Sequence, residues 1–236
     1  MGKSTSFLLG GIQMKGRIYA LEGTEGCGKS TAIQLVKQHL DILNIPSVII
    51  REPGGLEVCE DIRNIIFNPQ YSDIDKTTEL LLMLSIRNEN YQKSIKPYLE
   101  KGYIVLCDRY VDSTLVYQGY RYSIAKGEWV EEVMKDLFGF IFPPELSKTF
   151  YLQLSDVSVG LERIAKNHRN TNKFDEMDIS FHREIQKSYD ALYFTDVDGK
   201  KIRETIDGDQ EPEKVAEKIV ERILEDIETE KAIRED

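Results

Sequence analysis

The sequence predicts an α/β fold in which a mostly parallel β-sheet is covered on both faces by helices. Two observations carry this expectation. Short β-branched or aromatic runs alternate along the chain with amphipathic segments at helical spacing, and no repeat or low-complexity linker interrupts the alternation. With 236 residues, 41% of them hydrophobic and 31% charged, the chain has the material for one large soluble domain with its own core.

The runs that read as buried strands are Arg17 to Glu22, Ser47 to Arg51, Tyr103 to Asp108, Lys148 to Leu154 and Lys201 to Asp207. Between and after them, helical spacing marks Lys29 to Leu43, Leu56 to Phe67, Lys76 to Glu100, Glu128 to Phe138, Ser155 to Lys166, Ile179 to Tyr193 and Glu211 to Ile227. Gly119 to Gly127 reads as a loop after a helix. Asn167 to Asp178 is polar and charged with neither period, as a mobile surface segment would be. Met1 to Gln13 is rich in Gly and Ser and precedes a second methionine, Met14. Residues 1–14 are therefore expected to be a flexible extension or a cloning remnant, with a single domain over 15–236 and a mobile lid near 163–178.

Lys and Arg total 31 against 41 Asp and Glu, a formal charge of −10, which is the wrong sign for a general binder of nucleic acid or anionic membrane. Any anion must be held locally. Cys27, Cys59 and Cys107 are odd in number, far apart and form no CxxC pair, as expected of reduced thiols. The longest purely apolar run, Leu80 to Leu84, is far short of the ~20 residues that cross a bilayer, and Phe7 to Ile12 lacks the length and cleavage pattern of a signal peptide. A cytoplasmic protein is expected.

Gly23-Thr24-Glu25-Gly26-Cys27-Gly28-Lys29-Ser30 fits GxxxxGK[ST], the P-loop, directly after the apolar run Ile18 to Leu21 and directly before a helical segment. That context is what the motif requires. The glycines let backbone N–H groups turn around phosphate oxygens, and the helix N-terminus adds positive potential. Lys29 neutralises phosphate charge, and the Ser30 hydroxyl reaches Mg²⁺. Gly23 to Thr31 are thus candidate nucleotide contacts. A Rossmann fingerprint is excluded because no third glycine follows at the required spacing. His39, His168 and His182 have no zinc-ligand spacing and read as surface or partly buried residues.

A P-loop alone admits GTPase switches, ATPase motors and small-molecule kinases. Asn172-Lys173-Phe174-Asp175 is a literal NKxD, the guanine-reading tetrapeptide, but the residues before it are wholly polar where a buried strand belongs. Arg51 and Arg109 stand at the C-terminal ends of predicted strands, where open parallel sheets place their ligands. Asp108 ends the second of these as a carboxylate able to hold Mg²⁺ through water, and Arg109 can grip a phosphate bidentately. Arg63 and Arg87 add two further cations. Arg163, Lys166, Arg169 and Lys173 lie in or beside the polar segment, which could close over a γ-phosphate and supply positive charge in the transition state.

From about Lys15 to Ile227 the chain resembles the thymidylate kinase family of P-loop nucleoside monophosphate kinases. The resemblance rests on four blocks: Leu21 to Thr31; Arg51-Glu52-Pro53-Gly54-Gly55 with Ile62-Arg63; Asp108-Arg109-Tyr110-Val111-Asp112-Ser113-Thr114-Leu115-Val116-Tyr117-Gln118-Gly119; and Ile206 to Gln210. It implies a three-layer α/β fold of the P-loop kinase type and transfer of the γ-phosphoryl of ATP to dTMP, giving dTDP on the way to dTTP, with Mg²⁺, in a homodimer. By position, Arg63, Arg87 and Arg109 would grip the acceptor phosphate and Glu25 would lie over the acceptor's sugar. Glu52 would organise the magnesium or acceptor side, and Thr114 and Gln118 would face the base. No variable P-loop position, Thr24 to Cys27, is basic, so the lid cations would act in the transition state. Besides the long polar N-terminal extension, two features depart from the family pattern. Met83 stands where a phenylalanine usually stacks on thymine, and the lid reads Asn172 to Asp175 in place of DRFE. A broader deoxynucleoside monophosphate kinase and a GTP-binding switch are the alternative readings.

Overall fold

The computed structural model describes residues 8–9, 12–71, 73–121, 123–138, 146–166, 174, 177–193 and 202–235. A two-residue antiparallel pair, β1 (Leu8–Leu9) and β2 (Ile12–Gln13), precedes the main sheet. That sheet holds β3 (Arg17–Glu22), β4 (Ser47–Arg51), β5 (Ile104–Asp108), β6 (Leu146–Gln153) and β7 (Arg203–Asp207) in the order β4-β5-β3-β6-β7, every pair parallel. Each of these five strands starts on or within two residues of its expected start.

Successive strand residues point to opposite faces, and both faces of the central strands β3, β5 and β6 are largely buried, which is why these read as mostly apolar runs. Ile18, Ala20, Val105, Cys107 and Tyr151 pack into one core layer, and Tyr19, Leu21, Ile104, Leu106, Phe150 and Leu152 into the other. Helices α1 (Lys29–Ile42) and α9 (Pro212–Glu235) cover the second layer, contributing Ile33, Val36, Ile219 and Ile223. The first is covered by α3 (Lys76–Asn90), the short α4 (Lys96–Leu99), α5 (Val111–Leu115), α6 (Ile124–Phe138) and α8 (Ile179–Tyr193). Helix α2 (Glu57–Phe67) packs on α3 around Cys59, Ile66 and Ile86, and α7 (Val157–Lys166) lies beside the P-loop. The expected three-layer α/β architecture is the observed one.

Three local expectations change. The single helix expected over Lys76 to Glu100 passes through a π turn, Tyr91–Ile95, ahead of Pro97, whose missing N–H a continuous α-helix would need. The loop expected over Gly119 to Gly127 is mostly helical. Gly119 and Tyr120 close a second π turn, Val116–Tyr120, and α6 already begins at Ile124. The two glycines allow a close crossing, since a Cβ on Gly119 would lie 2.9 Å from the Gly127 Cα. Met14, grouped by sequence with the extension, is buried in the core.

All five strands of the sheet run the same way, so Glu22, Arg51, Asp108, Gln153 and Asp207 finish along one edge. In an open parallel sheet that edge is where a ligand crevice forms.

Candidate functional site

A cleft of about 680 Å³ opens along that edge, lined by Glu25 to Ala32 of the P-loop and α1, by residues of the β4 and β5 ends, and by Gly208 to Pro212 after β7. The loop can make its turn because Gly23, Gly26 and Gly28 have φ of 146°, 72° and 100°, values that side chains with a Cβ rarely adopt. It also needs space behind. A Cβ on Gly26 would sit 2.1 Å from the Gly160 carbonyl oxygen, and one on Gly160 would sit 2.3 Å from that of Glu25, so two glycines let α7 touch the loop. Lys29 is buried and donates to the carbonyls of Gly23 (2.9 Å) and Thr24 (2.8 Å). Gly23 and Thr24 therefore hold the lysine from behind, while Glu25 to Thr31 face the cleft. At the loop's mouth Ser30 Oγ donates to Asp108 Oδ2 over 3.0 Å.

The opposite wall is built on arginines, each fixed by named acceptors. Arg87 donates from Nε to Glu52 (2.9 Å), from Nη1 to Thr114 Oγ1 (2.8 Å) and from Nη2 to the Tyr110 carbonyl (2.7 Å). Arg63 donates to the Pro53 carbonyl (2.9 Å) and lies 4.4 Å over the Phe67 ring. Arg109 has φ of 67° and bonds Glu25 Oε1 (3.0 Å), the Gly23 carbonyl (3.0 Å), Ser113 Oγ (3.1 Å) and Tyr189 OH (3.2 Å). Burial alone would raise the pKa of Glu25, but His182, Arg109, Lys29 and Tyr117 outweigh it and bring it down to about 2. Glu52 is driven the other way, raised by burial with Arg87 only partly opposing.

Of the residues expected from sequence, Glu25 to Thr31, Glu52, Arg63, Met83, Arg87, Asp108, Arg109, Thr114, Gln118 and Arg163 all line this one cleft. Gln118 is oriented by donating to the buried Glu79 (2.9 Å), and Arg163 by donating to the Gly208 carbonyl (3.1 Å). Arg51 lines the cleft too, with its guanidinium bonded to Glu60. Lys166 does not line it: its side chain is exposed and lies 3.7 Å from Glu162. Arg169, Lys173, Asn172 and His168 lie outside the described residues.

Sequence reasoning missed the group that shapes the arginine wall. Glu22 is fully buried and accepts from the Tyr110 N–H (2.7 Å), the Ser113 N–H (3.1 Å), Ser113 Oγ (2.5 Å) and Tyr189 OH (2.9 Å). It ties β3 to the turn that carries Arg109. Phe67, Tyr117 and Phe174 were also missed. They line the cleft and pack edge to face, with Phe67 to Phe174 at 5.4 Å and Tyr117 to Phe174 at 5.2 Å between centroids. His182, expected at the surface or partly buried, is 1% exposed beside Glu25 because α8 turns that face inward.

A phosphate loop and three anchored arginines lining one cleft at the sheet edge define a P-loop phosphotransferase. The family model described as thymidylate kinase matches residues 21–227, and thymidylate kinases of Geobacillus sp. (strain WCH70) and Mesoplasma florum are similar to this chain. The chain belongs to the thymidylate kinase family. Identity to the Geobacillus protein is 39% over 181 residues, covering 75% of this chain and 82% of that one. Identity to the Mesoplasma protein is 37% over 209 residues, covering 88% and 95%. A crystal structure of thymidylate kinase from Ehrlichia chaffeensis shares the fold, with a TM-score of 0.65, 24% identity, and coverage of 89% of this chain and 99% of that one. The reaction is ATP-dependent phosphorylation of dTMP to dTDP.

Proposed function

We propose that the cleft divides this reaction as follows. Gly26 to Thr31, Lys29 among them, hold the ATP phosphates, Arg63, Arg87 and Arg109 hold the dTMP phosphate, and the ionised Glu25 lies at the dTMP sugar. The convergence of these three arginines on the P-loop carries the reading. Phosphoryl transfer needs positioning and fixed positive charge more than covalent chemistry by the protein, and partly buried, hydrogen-bonded guanidiniums supply both without reorganising. Arg163 is the lid-side cation best supported for the transition state, because it lines the cleft while Lys166 is exposed. Met83, Phe67, Thr114 and Gln118 would surround the thymine base.

Ser30 and Asp108 fit a hard divalent cation, since both offer oxygen and they lie 3.0 Å apart at the mouth of the phosphate loop. Among the described residues no cluster of three or more His, Cys, Asp or Glu forms a metal-binding group, so Mg²⁺ would take its remaining ligands from phosphates and water. When bound, it neutralises charge shared by the β- and γ-phosphates. The Glu52 carboxylate is engaged by Arg87, which supports an acceptor-side role for it rather than a metal role.

A panel of nucleoside monophosphates assayed with ATP and with GTP tests the assignment. ADP formation should be strongest with dTMP, and Met83→Phe should raise the dTMP to dGMP turnover ratio roughly two- to tenfold by offering a flat π-face. An unchanged ratio places Met83 away from the base. Comparable turnover of several deoxynucleotides supports the broader kinase, and GTP binding with no acceptor requirement supports the switch.

A homodimer is supported by an apolar stripe. Val58 and Ile65, seven residues apart on α2, and Leu81 on the adjoining α3 are 47%, 44% and 50% exposed. Leu81→Glu should convert a dimer to a monomer in sedimentation at micromolar concentration; an unchanged sedimentation coefficient moves the interface elsewhere. Three free, buried cysteines support a cytoplasmic location, and no described helix is long and apolar enough to cross a membrane.

A further inference from the structure

Glu25 is held asymmetrically. Its Oε1 accepts from Arg109 Nη2 (3.0 Å) and from Tyr117 OH (2.5 Å), whereas Oε2 is buried and accepts no hydrogen bond. His182 Nδ1 lies 3.4 Å from that second oxygen and helps to keep the carboxylate ionised. His182 is 1% exposed, and neither of its ring nitrogens has a hydrogen-bond partner. An imidazole buried with both nitrogens unsatisfied costs stability that an apolar residue of similar size would not. Its ring edge meets Phe181 at 5.3 Å between centroids, a contact that any aromatic could make. Packing therefore accounts for a ring at this position but not for its nitrogens.

Helix α8 braces the site at a second point on the same face. Tyr189, seven residues on from His182, donates to Glu22 Oε2 (2.9 Å). One helix face thus addresses two carboxylates, Glu22 at the end of β3 through Tyr189 and Glu25 of the P-loop through His182.

We propose that His182 is a positioning residue for Glu25: its Nδ1–H bonds Oε2 when the acceptor binds, fixing the carboxylate as a hydrogen-bond acceptor for the nucleotide's sugar hydroxyl. This rests on the reading that Glu25 lies at the sugar of dTMP, whose only free sugar hydroxyl is the 3′-OH. The 3.4 Å separation closes with a small shift of Glu25 and requires the tautomer with hydrogen on Nδ1. His182 does not line the cleft, so it acts through Glu25 and not on the nucleotide itself.

The test uses dTMP and 3′-deoxythymidine monophosphate as acceptors at saturating ATP. In the wild type, loss of the 3′-OH should raise KM. His182→Phe, which fills the space without a donor, should raise KM for dTMP about tenfold or more, the range for losing a hydrogen bond to a charged group. It should leave kcat and KM for ATP within about twofold, and leave KM for the 3′-deoxy acceptor nearly unchanged. His182→Asn places an amide N–H near the Nδ1 position and should restore discrimination; His182→Gln places it near Nε2 and should not. This pair decides the matter even if the phenylalanine variant fails to fold. Equal KM changes for the two acceptors, or Asn and Gln behaving alike, would overturn the proposal and leave His182 a packing residue. If Glu25→Gln leaves the wild-type discrimination intact, the placement of Glu25 at the sugar fails instead.

Discussion

Replacing Arg109 with alanine lowers kcat for dTMP phosphorylation about a hundredfold or more, on the order of ~3 kcal/mol in the barrier. The size follows from where the guanidinium sits. It is fixed by four acceptors, the P-loop carbonyl of Gly23 among them, so on the proposed assignment it meets the reacting phosphates without having to be ordered when they arrive. It also lies 5.3 Å over the Tyr117 ring. The substitution does a second kind of damage. Glu25 loses one of the donors that keep its carboxylate ionised in a buried position, so the acceptor half loosens along with the charge. Arg109→Lys should recover little, since an ammonium cannot reproduce a planar fork engaged by several oxygens. Steady-state kinetics over both substrates checks this, and near-normal turnover in Arg109→Ala would remove it from the acceptor site.

The centre of the sheet was legible because β3, β5 and β6 are largely buried on both faces, which requires mostly apolar runs, and the edge strand β4 kept its β-branched residues. Arg17–Glu22 and Ser47–Arg51 emerge with the limits read from sequence. The P-loop was legible for a different reason, since its chemistry is local and eight consecutive residues carry it. What stayed hidden was the network whose members meet only in the fold. Glu22 collects donors from Tyr110, Ser113 and Tyr189, 88 to 167 residues away, and an acidic strand end carries no signal of that role. Arg87 finds Glu52 across 35 residues, a pairing that spacing along one helix cannot suggest. A helix ahead of Gly119 was anticipated, but its limits and its run into the second π turn were not, because Val111, Thr114 and Val116 are β-branched with low helix propensity. Tertiary partners of Asp112, Thr114 and Gln118 override that preference. His182 was misread for the same reason: a lone histidine has no pattern, and only the turn of α8 brings it against Glu25.

Asp112→Ala destabilises the fold by about 3–5 kcal/mol, the usual cost of removing one member of a buried ion pair. Asp112 and Arg203 bury their side chains to 0% and 3% exposure and share two hydrogen bonds of 3.0 and 3.1 Å. Burial works to lower the pKa of Arg203, but Asp112 outweighs it and the guanidinium stays charged. Truncating the aspartate therefore strips a buried cation of its carboxylate, a loss unlike that of an exposed pair. Removing both charges together is predicted to cost less. Asp112→Leu with Arg203→Met should recover part of the stability in urea unfolding, because the penalty lies in an uncompensated charge and not in the missing attraction. The same change reaches the active cleft. Asp112 directly precedes Ser113, which joins Glu22 and Arg109, and α5 connects to β7 through Arg203. Activity measured well below the unfolding midpoint should fall in Asp112→Ala and return only partly in the double variant, whose apolar contact restores stability but not the two hydrogen bonds that hold the Arg109 turn in register. Equal stability of Asp112→Ala and wild type would mean that the pair contributes nothing net, and would leave Glu22 alone to fix that turn.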